Sequence, residues 1–516
     1  MSQISINDLL PVETRGSKEI IKALQSNDRV VLIRAPPGTG KTMTVLAYLF
    51  WLGLKGISSA MFFRTRAELD NGIRIANKIA KKIREYGLTP PDFIPIGGKD
   101  ELCRFPPGRK ELIRWWCSII NCDYFRRRST NRIRESLRRE PPQNLREFFV
   151  AARDAGACPY FAYQQLCEQA RIVLATHPYF IQDELFNRLG FRDVLVIDEA
   201  HSFLSLITSR IPLSDYKLFQ EYWREVEEVG SPVRIAVREW RRGAKDFVAG
   251  LSRYYSFMEA PGITIVHRND VIKVCPPELL VEKRLGLVNR IIFMSSTLYP
   301  ISLFKKLFGA ETSTYIVPGL LKSTDKRLLL GLSIGLTTKY VDRSYLLQEY
   351  AKVIDFLLAS IDRPTIIFTP SYEIAEELSR ALSLPLVREE GSIDAEKIIS
   401  VARGRLAEGI DVKLAGKDPE LVIIAGLPFP DISKDFSAVV KVYSKYYKVS
   451  EAELLKAMSL GEMMSALVQA LGRIGRRKRG IGIIIDDRIE KLGVKILIFK
   501  SVRSLINKVK KFLEKK

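Results

Sequence analysis

A chain of 516 residues is too long for a single hydrophobic core, and a hydrophobic content of 47% excludes a disordered polymer. The formal charge of +22 and a pI near 9.6 go beyond what solubility needs and point to a polyanionic partner, nucleic acid ahead of an anionic membrane surface. The longest apolar stretch, Met43 to Leu54, is too short for a membrane span and reads as a buried helix, so no membrane partner is expected. Met1-Ser-Gln-Ile-Ser-Ile6 is short and polar, unlike a secretory signal. A cytoplasmic, reducing setting is therefore expected, in which the six cysteines serve as ligands or core residues and not as disulfides.

The first element is an apolar strand, Val30 to Ile33, running into Ala35-Pro-Pro-Gly-Thr-Gly-Lys-Thr42 and then a helical pattern. Strand, glycine-rich turn and helix make a phosphate-binding loop. Gly38, Thr39 and Gly40 let backbone N–H groups face phosphate oxygens, Lys41 reaches the β/γ-phosphates, and the Thr42 hydroxyl can ligate Mg²⁺. Ala35 stands where the loose pattern has Gly, at a position that only opens the loop.

A second apolar strand, Val194 to Ile197, ends in Asp198-Glu-Ala-His201. Asp198 is placed to hold Mg²⁺ and Glu199 to polarise the attacking water. Lys41 and Asp198 are 157 positions apart, far more than a few βα units require, so an insertion lies between them. The αβ pattern resumes at Arg290 to Leu298 after nearly ninety more residues, which implies a second insertion. Tyr216 to Trp223 and Val233 to Tyr255 inside it are helix-like.

The C-terminal part carries its own short apolar runs, Pro364 to Phe368, Leu421 to Ala425 and Ile481 to Ile485, which read as parallel strands. No second phosphate loop accompanies them, so this unit is expected to complete the first one's site. Gly472-Arg-Ile-Gly-Arg-Arg-Lys-Arg-Gly480 supplies the cations, with Arg473 and Arg476 as candidate arginine fingers. A solvated basic face or a nucleic-acid contact is the competing reading. Lys495 to Lys516 is helix-like and basic and is expected to cap the second unit.

The first insertion holds Cys103, Cys117, Cys122 and Cys158. Four thiolates can close a metal site, and their spacing does not choose between Zn²⁺ and an iron–sulfur cluster. Cys167 and Cys275 fall outside the pattern and are expected in the core. From Cys103 to Cys158 there are thirteen Lys and Arg against six Asp and Glu, a net of +7. Trp115, Trp116, Tyr124 and Phe125 are interleaved with them. Trp115 and Trp116 are expected in a small core, because a unit this size needs all its apolar mass, and Arg126, Arg127 and Arg128 are the better candidates for DNA contact.

These segments, in this order, resemble the XPD/DinG family of superfamily 2 iron–sulfur DNA helicases, archaeal XPD-like, from about residue 28 to 490. Beyond the phosphate loop and the Asp-Glu-Ala-His box, Phe63-Arg-Thr-Arg-Ala-Glu68 looks like motif Ia and Ser295-Ser-Thr-Leu298 like motif III. Phe368 to Tyr372 is similar to motif IV, Arg403 to Asp411 to motif V, and Gln469 to Arg476 to motif VI.

The resemblance implies two RecA-like parallel-sheet helicase domains of α/β class, the first carrying an Fe–S insertion and a helical arch insertion. The implied boundaries are helicase domain 1 at 1–98, 166–205 and 263–322, the Fe–S domain at 99–165, the arch at 206–262, and helicase domain 2 at 323–516. It implies a 4Fe-4S cluster on Cys103, Cys117, Cys122 and Cys158, and Gln469, Arg473 and Arg476 facing the γ-phosphate of ATP. It further implies that Glu408, Gly409 and Asp411 link nucleotide to DNA, and that Arg64, Thr65 and Arg403 contact the strand. The implied activity is an ATP-dependent, 5′→3′ DNA helicase in repair, monomeric, acting on single-stranded and forked DNA. A DNA-stimulated ATPase that remodels protein–DNA complexes or senses redox state is the alternative. The glutamine that reads adenine in many relatives has no counterpart, since Lys18 occupies its region, so strictness for ATP does not follow.

Overall fold

Parallel strands that are buried on both faces must be apolar along their whole length, and the apolar runs of this chain form two such sheets. A computed structural model describes residues 4–14, 16–126, 130–139, 141–309, 312–317, 323–324, 326–338, 343–388, 393–408, 412–474, 479–492 and 496–514, and the side chains of all but a few of these.

In chain order the strands are β1 (Val30–Arg34), β2 (Ser59–Phe63), β3 (Phe93–Pro95), β4 (Ile172–Thr176), β5 (Val194–Ile197), β6 (Ile207–Pro212), β7 (Ile263–His267), β8 (Asp270–Val274), β9 (Arg290–Ser295) and β10 (Ser313–Ile316). Then follow β11 (Arg327–Leu332), β12 (Thr365–Thr369), β13 (Lys397–Val401), β14 (Leu421–Ala425), β15 (Gly480–Ile485) and β16 (Leu497–Phe499). The first lobe is a seven-stranded sheet ordered β10-β1-β9-β5-β2-β4-β3, and the second a six-stranded sheet ordered β13-β12-β14-β15-β11-β16. All pairings within both are parallel, which makes each lobe RecA-like.

Helices cover both sheets. Helix Arg66–Glu85 buries Leu69, Ile73, Ala76, Ile79, Ala80 and Ile83, one face at helical spacing, against the first sheet. Its start is fixed by a capping box between Thr65 and Glu68. Helix Lys41–Leu54 buries nearly every side, as its apolar composition requires. Among the described residues no helix is long and apolar enough to cross a membrane.

Where chain segments leave the sheet decides where the insertions stand. The cysteine-bearing segment leaves after edge strand β3 and returns through helix Pro159–Gln169 into β4. The second insertion leaves after β5 and returns into β9. It holds helices Leu213–Val229, Pro232–Arg241 and Lys245–Glu259, and adds a three-stranded antiparallel sheet β6-β8-β7. That sheet carries the insertion through Val274, past the expected boundary at 262, because β7 and β8 form a hairpin on β6.

The two insertions share one core. Leu112 and Trp115 of the first are buried with Phe219, Ile235, Leu251 and Phe257 of the second. Trp115 stands 5.6 Å from Tyr255 and Trp116 5.6 Å from Trp240, ring centre to ring centre. The tryptophans thus lie in a core, as expected, but it is the seam between insertions and not a shell confined to the cysteines. Arg114 of the first insertion bridges Glu184 of the lobe and Glu259 of the second.

The lobes meet through a helical pair of the second, Lys434–Tyr447 and Glu451–Leu471. Phe436, Val439, Val440 and Tyr443 are buried in the first lobe's core, and the Tyr443 hydroxyl donates to Cys275 O at 3.0 Å. A Cβ on Gly461 would stand 2.6 Å from Tyr299 O, so only glycine permits this close crossing. The C-terminal segment begins with edge strand β16 on β11 before helix Val502–Glu514, whose Leu505, Ile506 and Val509 cap the second sheet. The β-forming triplet Leu497-Ile-Phe499 explains why the helix starts later than its charge pattern suggests.

Candidate functional site

Parallel strands deliver their C-terminal ends to one edge, and the ends of β1, β9 and β5 are neighbours in the first sheet. The phosphate loop follows β1, Ser295 ends β9, and Asp198 follows β5. Gly38 and Gly40 both have φ of 78°, the left-handed region the loop's curl demands. Gly40 is doubly constrained, since a Cβ there would lie 2.6 Å from Thr14 Oγ1. Thr14 in turn donates from Oγ1 to Thr39 O at 2.5 Å, bracing the loop from behind.

Residues 156 positions apart in sequence close into one cluster. Thr42 Oγ1 donates to Asp198 Oδ2 at 3.0 Å, and Lys41 Nζ rests on Ala35 O at 3.0 Å. The N–H of Glu199 caps Asp198 Oδ1 at 2.9 Å. Glu199 itself has φ of 47°, a left-handed non-glycine residue directly at the strand end. Its Oε2 accepts from Ser295 Oγ at 2.9 Å and lies 3.1 Å from His201 Nδ1.

Burial and the adjacent Glu199 charge push the Asp198 carboxyl up. Burial opposes the charge on Glu199 too, but His201, Lys41 and the Ser295 hydroxyl outweigh it and hold Glu199 below the usual carboxylate range. Glu68, at the start of helix Arg66–Glu85, feels the same centre. Burial first, then the charges of Glu199 and Asp198, raise it to about 7. An acid-rich pocket of this kind is short of positive charge, which a divalent cation supplies.

The second lobe reaches this cluster through the end of helix Glu451–Leu471. Gln469 Nε2 stands 3.5 Å from His201 Nε2. A Cβ on Gly472 would lie 3.6 Å from Pro37 of the phosphate loop, so the helix end abuts the loop's mouth. Arg473 follows, with Nε donating to Ala407 O at 3.1 Å. Arg476, Gly409 and Asp411 lie outside the described residues.

Of the strand-contact candidates, Arg64 and Thr65 sit at the end of β2, next to the acidic cluster. The Thr65 N–H donates to Glu68 Oε2 at 3.0 Å, and the Arg64 charge reaches Glu68 and His177. Arg403 turns to the seam between lobes, with Nε on Pro428 O at 3.4 Å and Nη2 3.9 Å from Glu462. Arg126 ends the turn Asp123–Arg126, and its side chain, like Arg127 and Arg128, lies outside what is described.

The four cysteines of the first insertion come within reach of one another's charge: Cys103 feels Cys117 and Cys122, and Cys158 feels Cys117 and Cys103. Cys158 immediately precedes helix Pro159–Gln169, and burial pushes its thiol up while the first N–H groups of that helix favour the thiolate. Lys99 Nζ donates to Arg114 O at 2.9 Å and lies within charge range of Cys117 and Cys103. Four thiol donors within range of one another's charge, with a lysine beside them and no histidine in the segment, fit a thiolate-held iron–sulfur group in chemistry. Among the described residues no three His, Cys, Asp or Glu side chains converge tightly enough to form a metal-holding group as they stand. Cys167 and Cys275 are buried in the first lobe's core, as expected.

Sequence reasoning assigned no role to His177 or Lys99. His177 is one of only three histidines and stands directly behind an apolar strand, a signal of the same form as that of Asp198.

The chain matches the DEAD_2 family over residues 75–214 and the Helicase C-terminal domain over residues 388–504. It is 26% identical over 143 residues to a regulator of telomere elongation helicase 1 homolog of Anopheles gambiae, which is 25% of this chain and 14% of that protein. It is 24% identical over 255 residues to the Arabidopsis thaliana homolog, 39% of this chain and 24% of that one. A Fanconi anemia group J protein homolog of Gallus gallus is 34% identical over 107 residues, 20% of this chain and 8% of that protein. The chain thus spans a quarter or less of these relatives' lengths. Among solved structures, an XPD helicase superposes with a TM-score of 0.65 at 18% identity, covering 97% of this chain and 100% of that one. S. tokodaii Xpd4 gives 0.54 at 16%, covering 94% and 99%. These structures share the fold, and the two matched families fall on the first and second lobes in helicase order: the chain carries the paired domains of an ATP-dependent helicase and is similar to the XPD/DinG type.

Proposed function

We propose that the protein is a monomeric ATP-dependent DNA helicase that moves 5′→3′ along single-stranded DNA and opens forked or damaged duplex in repair. One observation carries the reading: Thr42 bonds Asp198 within the first lobe while Gln469 and Gly472 of the second lobe meet His201 and the phosphate loop. A nucleotide in that place touches both lobes, so its binding and loss can open and close the cleft.

The roles follow from position. Backbone N–H groups of Gly38 to Lys41 would cradle the phosphates, with Lys41 Nζ leaving Ala35 O to meet them. Thr42 and Asp198 would hold Mg²⁺, which supplies positive charge to the phosphate oxygens. Glu199, kept ionised by its donors, would orient the attacking water. Gln469 would report the γ-phosphate through His201, and Arg473 with Arg476 would stabilise charge on the transferring group. Glu408, which ends the helix that Arg473 touches, would carry closure toward the strand together with Gly409 and Asp411. Arg64, Thr65, Arg403 and the Arg126–Arg128 run would contact its backbone, in keeping with the charge of +22.

Cys103, Cys117, Cys122 and Cys158 would hold a 4Fe-4S cluster, which supplies a rigid cross-link to a unit with little core of its own. Iron and sulfide content of anaerobically purified protein tests this, with about four of each per chain expected. Zinc at about one per chain without sulfide excludes it.

The function is tested on a labelled fork with a 5′ single-stranded arm. ATP-dependent strand release is expected, with none from the 3′-armed fork. ATP turnover stimulated by DNA without strand release would replace the helicase with a translocase or remodeller.

A further inference from the structure

His177 follows β4 directly, is buried, and belongs to none of the motif segments. Its backbone N–H donates to Phe63 O at 2.9 Å, which extends the β4–β2 ladder one step beyond the strands. Because β2 lies between β4 and β5, the His177 ring crosses the end of β2, and Nε2 meets Asp198 O at 2.8 Å. A carbonyl only accepts, so Nε2 carries the proton and Nδ1 is left to accept from the Ser202 hydroxyl at 3.3 Å. Contact with Phe203, 5.3 Å between ring centres, fixes the plane. Burial pushes the imidazole down to about 4, so the neutral tautomer persists at working pH.

One residue therefore ties together Phe63, through its backbone N–H, and, through its ring, the carbonyl of Asp198 and the turn Ala200–Ser205 that bears His201. The Asp198 carbonyl belongs to the peptide from which Glu199 projects in its left-handed conformation. A donor held on that carbonyl sets the tilt of the peptide and hence the aim of the Glu199 carboxylate.

We propose that His177 is a positioning residue that couples the Arg64–Thr65 segment to the Asp198–Glu199 turn, so that a nucleic-acid backbone held by the first sets the geometry of the second. The proposal rests on the reading of the cleft as a DNA-stimulated ATP site. Displacement of the end of β2 moves Phe63 O, the His177 amide follows, and the ring passes the shift to Asp198 O through two hydrogen bonds.

The test is ATP turnover by the full chain, with and without single-stranded DNA, in the wild type, His177→Phe and His177→Gln. Phenylalanine keeps the ring packing but donates nothing, whereas the glutamine amide presents a donor at a similar reach. In His177→Phe turnover with DNA falls further than turnover without it, so that the stimulation ratio drops about tenfold, while affinity for the strand changes less than about threefold. His177→Gln recovers most of the ratio. A wild-type ratio in His177→Phe overturns the proposal. So does an equal loss with and without DNA, which is what a merely structural role predicts, and so does a glutamine variant no better than phenylalanine. A wild-type enzyme whose ATP turnover ignores single-stranded DNA would overturn the reading of the cleft itself, and the coupling with it.

Discussion

The nucleotide cleft and the seam between the two insertions are built by opposite strategies. In the cleft, each partner is a short segment whose chemistry is complete locally: a glycine loop after β1, two carboxylates after β5, a serine ending β9. The sheet only has to bring the strand ends together. In the seam, no segment is complete alone. Leu112, Trp115 and Trp116 find their apolar partners at Phe219, Trp240 and Tyr255, more than a hundred residues away. Chemistry fixed by backbone turns is legible at short range, whereas a core divided between distant helices is fixed by shape and leaves only amphipathic faces in the sequence.

The largest effect that separates these regions comes from Lys41→Ala. ATP turnover is expected to fall about 10³-fold while the thermal midpoint moves by only a few degrees, because Lys41 Nζ bonds Ala35 O and its charge acts locally on Asp198 and Glu199. A large loss of stability in that variant would mean that cleft and scaffold are not separable.

Trp115→Ala makes the converse cut. Trp115 is 4% exposed, and its removal should destabilise the joined insertions by about 3 kcal/mol, read as a lower urea midpoint of Trp fluorescence. ATP turnover without DNA should change less than about twofold, since among the described residues the seam's core includes none of the nucleotide-facing groups. An equal drop in turnover would break the contrast.

Glu68→Gln gives the smallest effect and sharpens the boundary of the cleft. In the folded protein Glu68 is raised from 4.5 to about 7, so between those values the native state holds more protons than the unfolded state. Stability therefore falls as pH rises from 4.5 to 7, and the penalty stands in full above 7. Glutamine preserves the capping box with Thr65 and removes the charge. The variant should gain on the order of 2 kcal/mol over the wild type at pH 8 and almost nothing at pH 4.5, measured by denaturant titration. A gain independent of pH would show that Glu68 does not sense the Asp198–Glu199 pair.

The parallel strands of both lobes could be read in advance wherever an apolar run was long and bounded by Pro, Gly or charge, as at Leu421–Ala425 and Ile481–Ile485. The antiparallel sheet of the second insertion could not. In β7 Ile263 and Val266 are exposed, and Thr264 and His267 interrupt the pattern, so no period of two survives. Likewise Asp198 and Glu199 were legible because two acids end an apolar strand. His177 was not, because a histidine after a strand acquires meaning only when sheet order places it across β2 from Asp198. The join between lobes was legible only as a missing partner for the phosphate loop. Helix Lys434–Tyr447 enters the first lobe's core through its Phe436, Val440 and Tyr443 face, whose partners lie far away in sequence.

The central claim is that one ATP site is completed across the cleft, and Arg473→Ala tests it most directly. ATP binding, followed by equilibrium titration with a fluorescent analogue, should stay within about threefold of the wild type, since the phosphate loop is untouched, while turnover falls about 10³-fold. Turnover at the wild-type rate in Arg473→Ala would contradict the claim, because the first lobe would then hydrolyse ATP without the second.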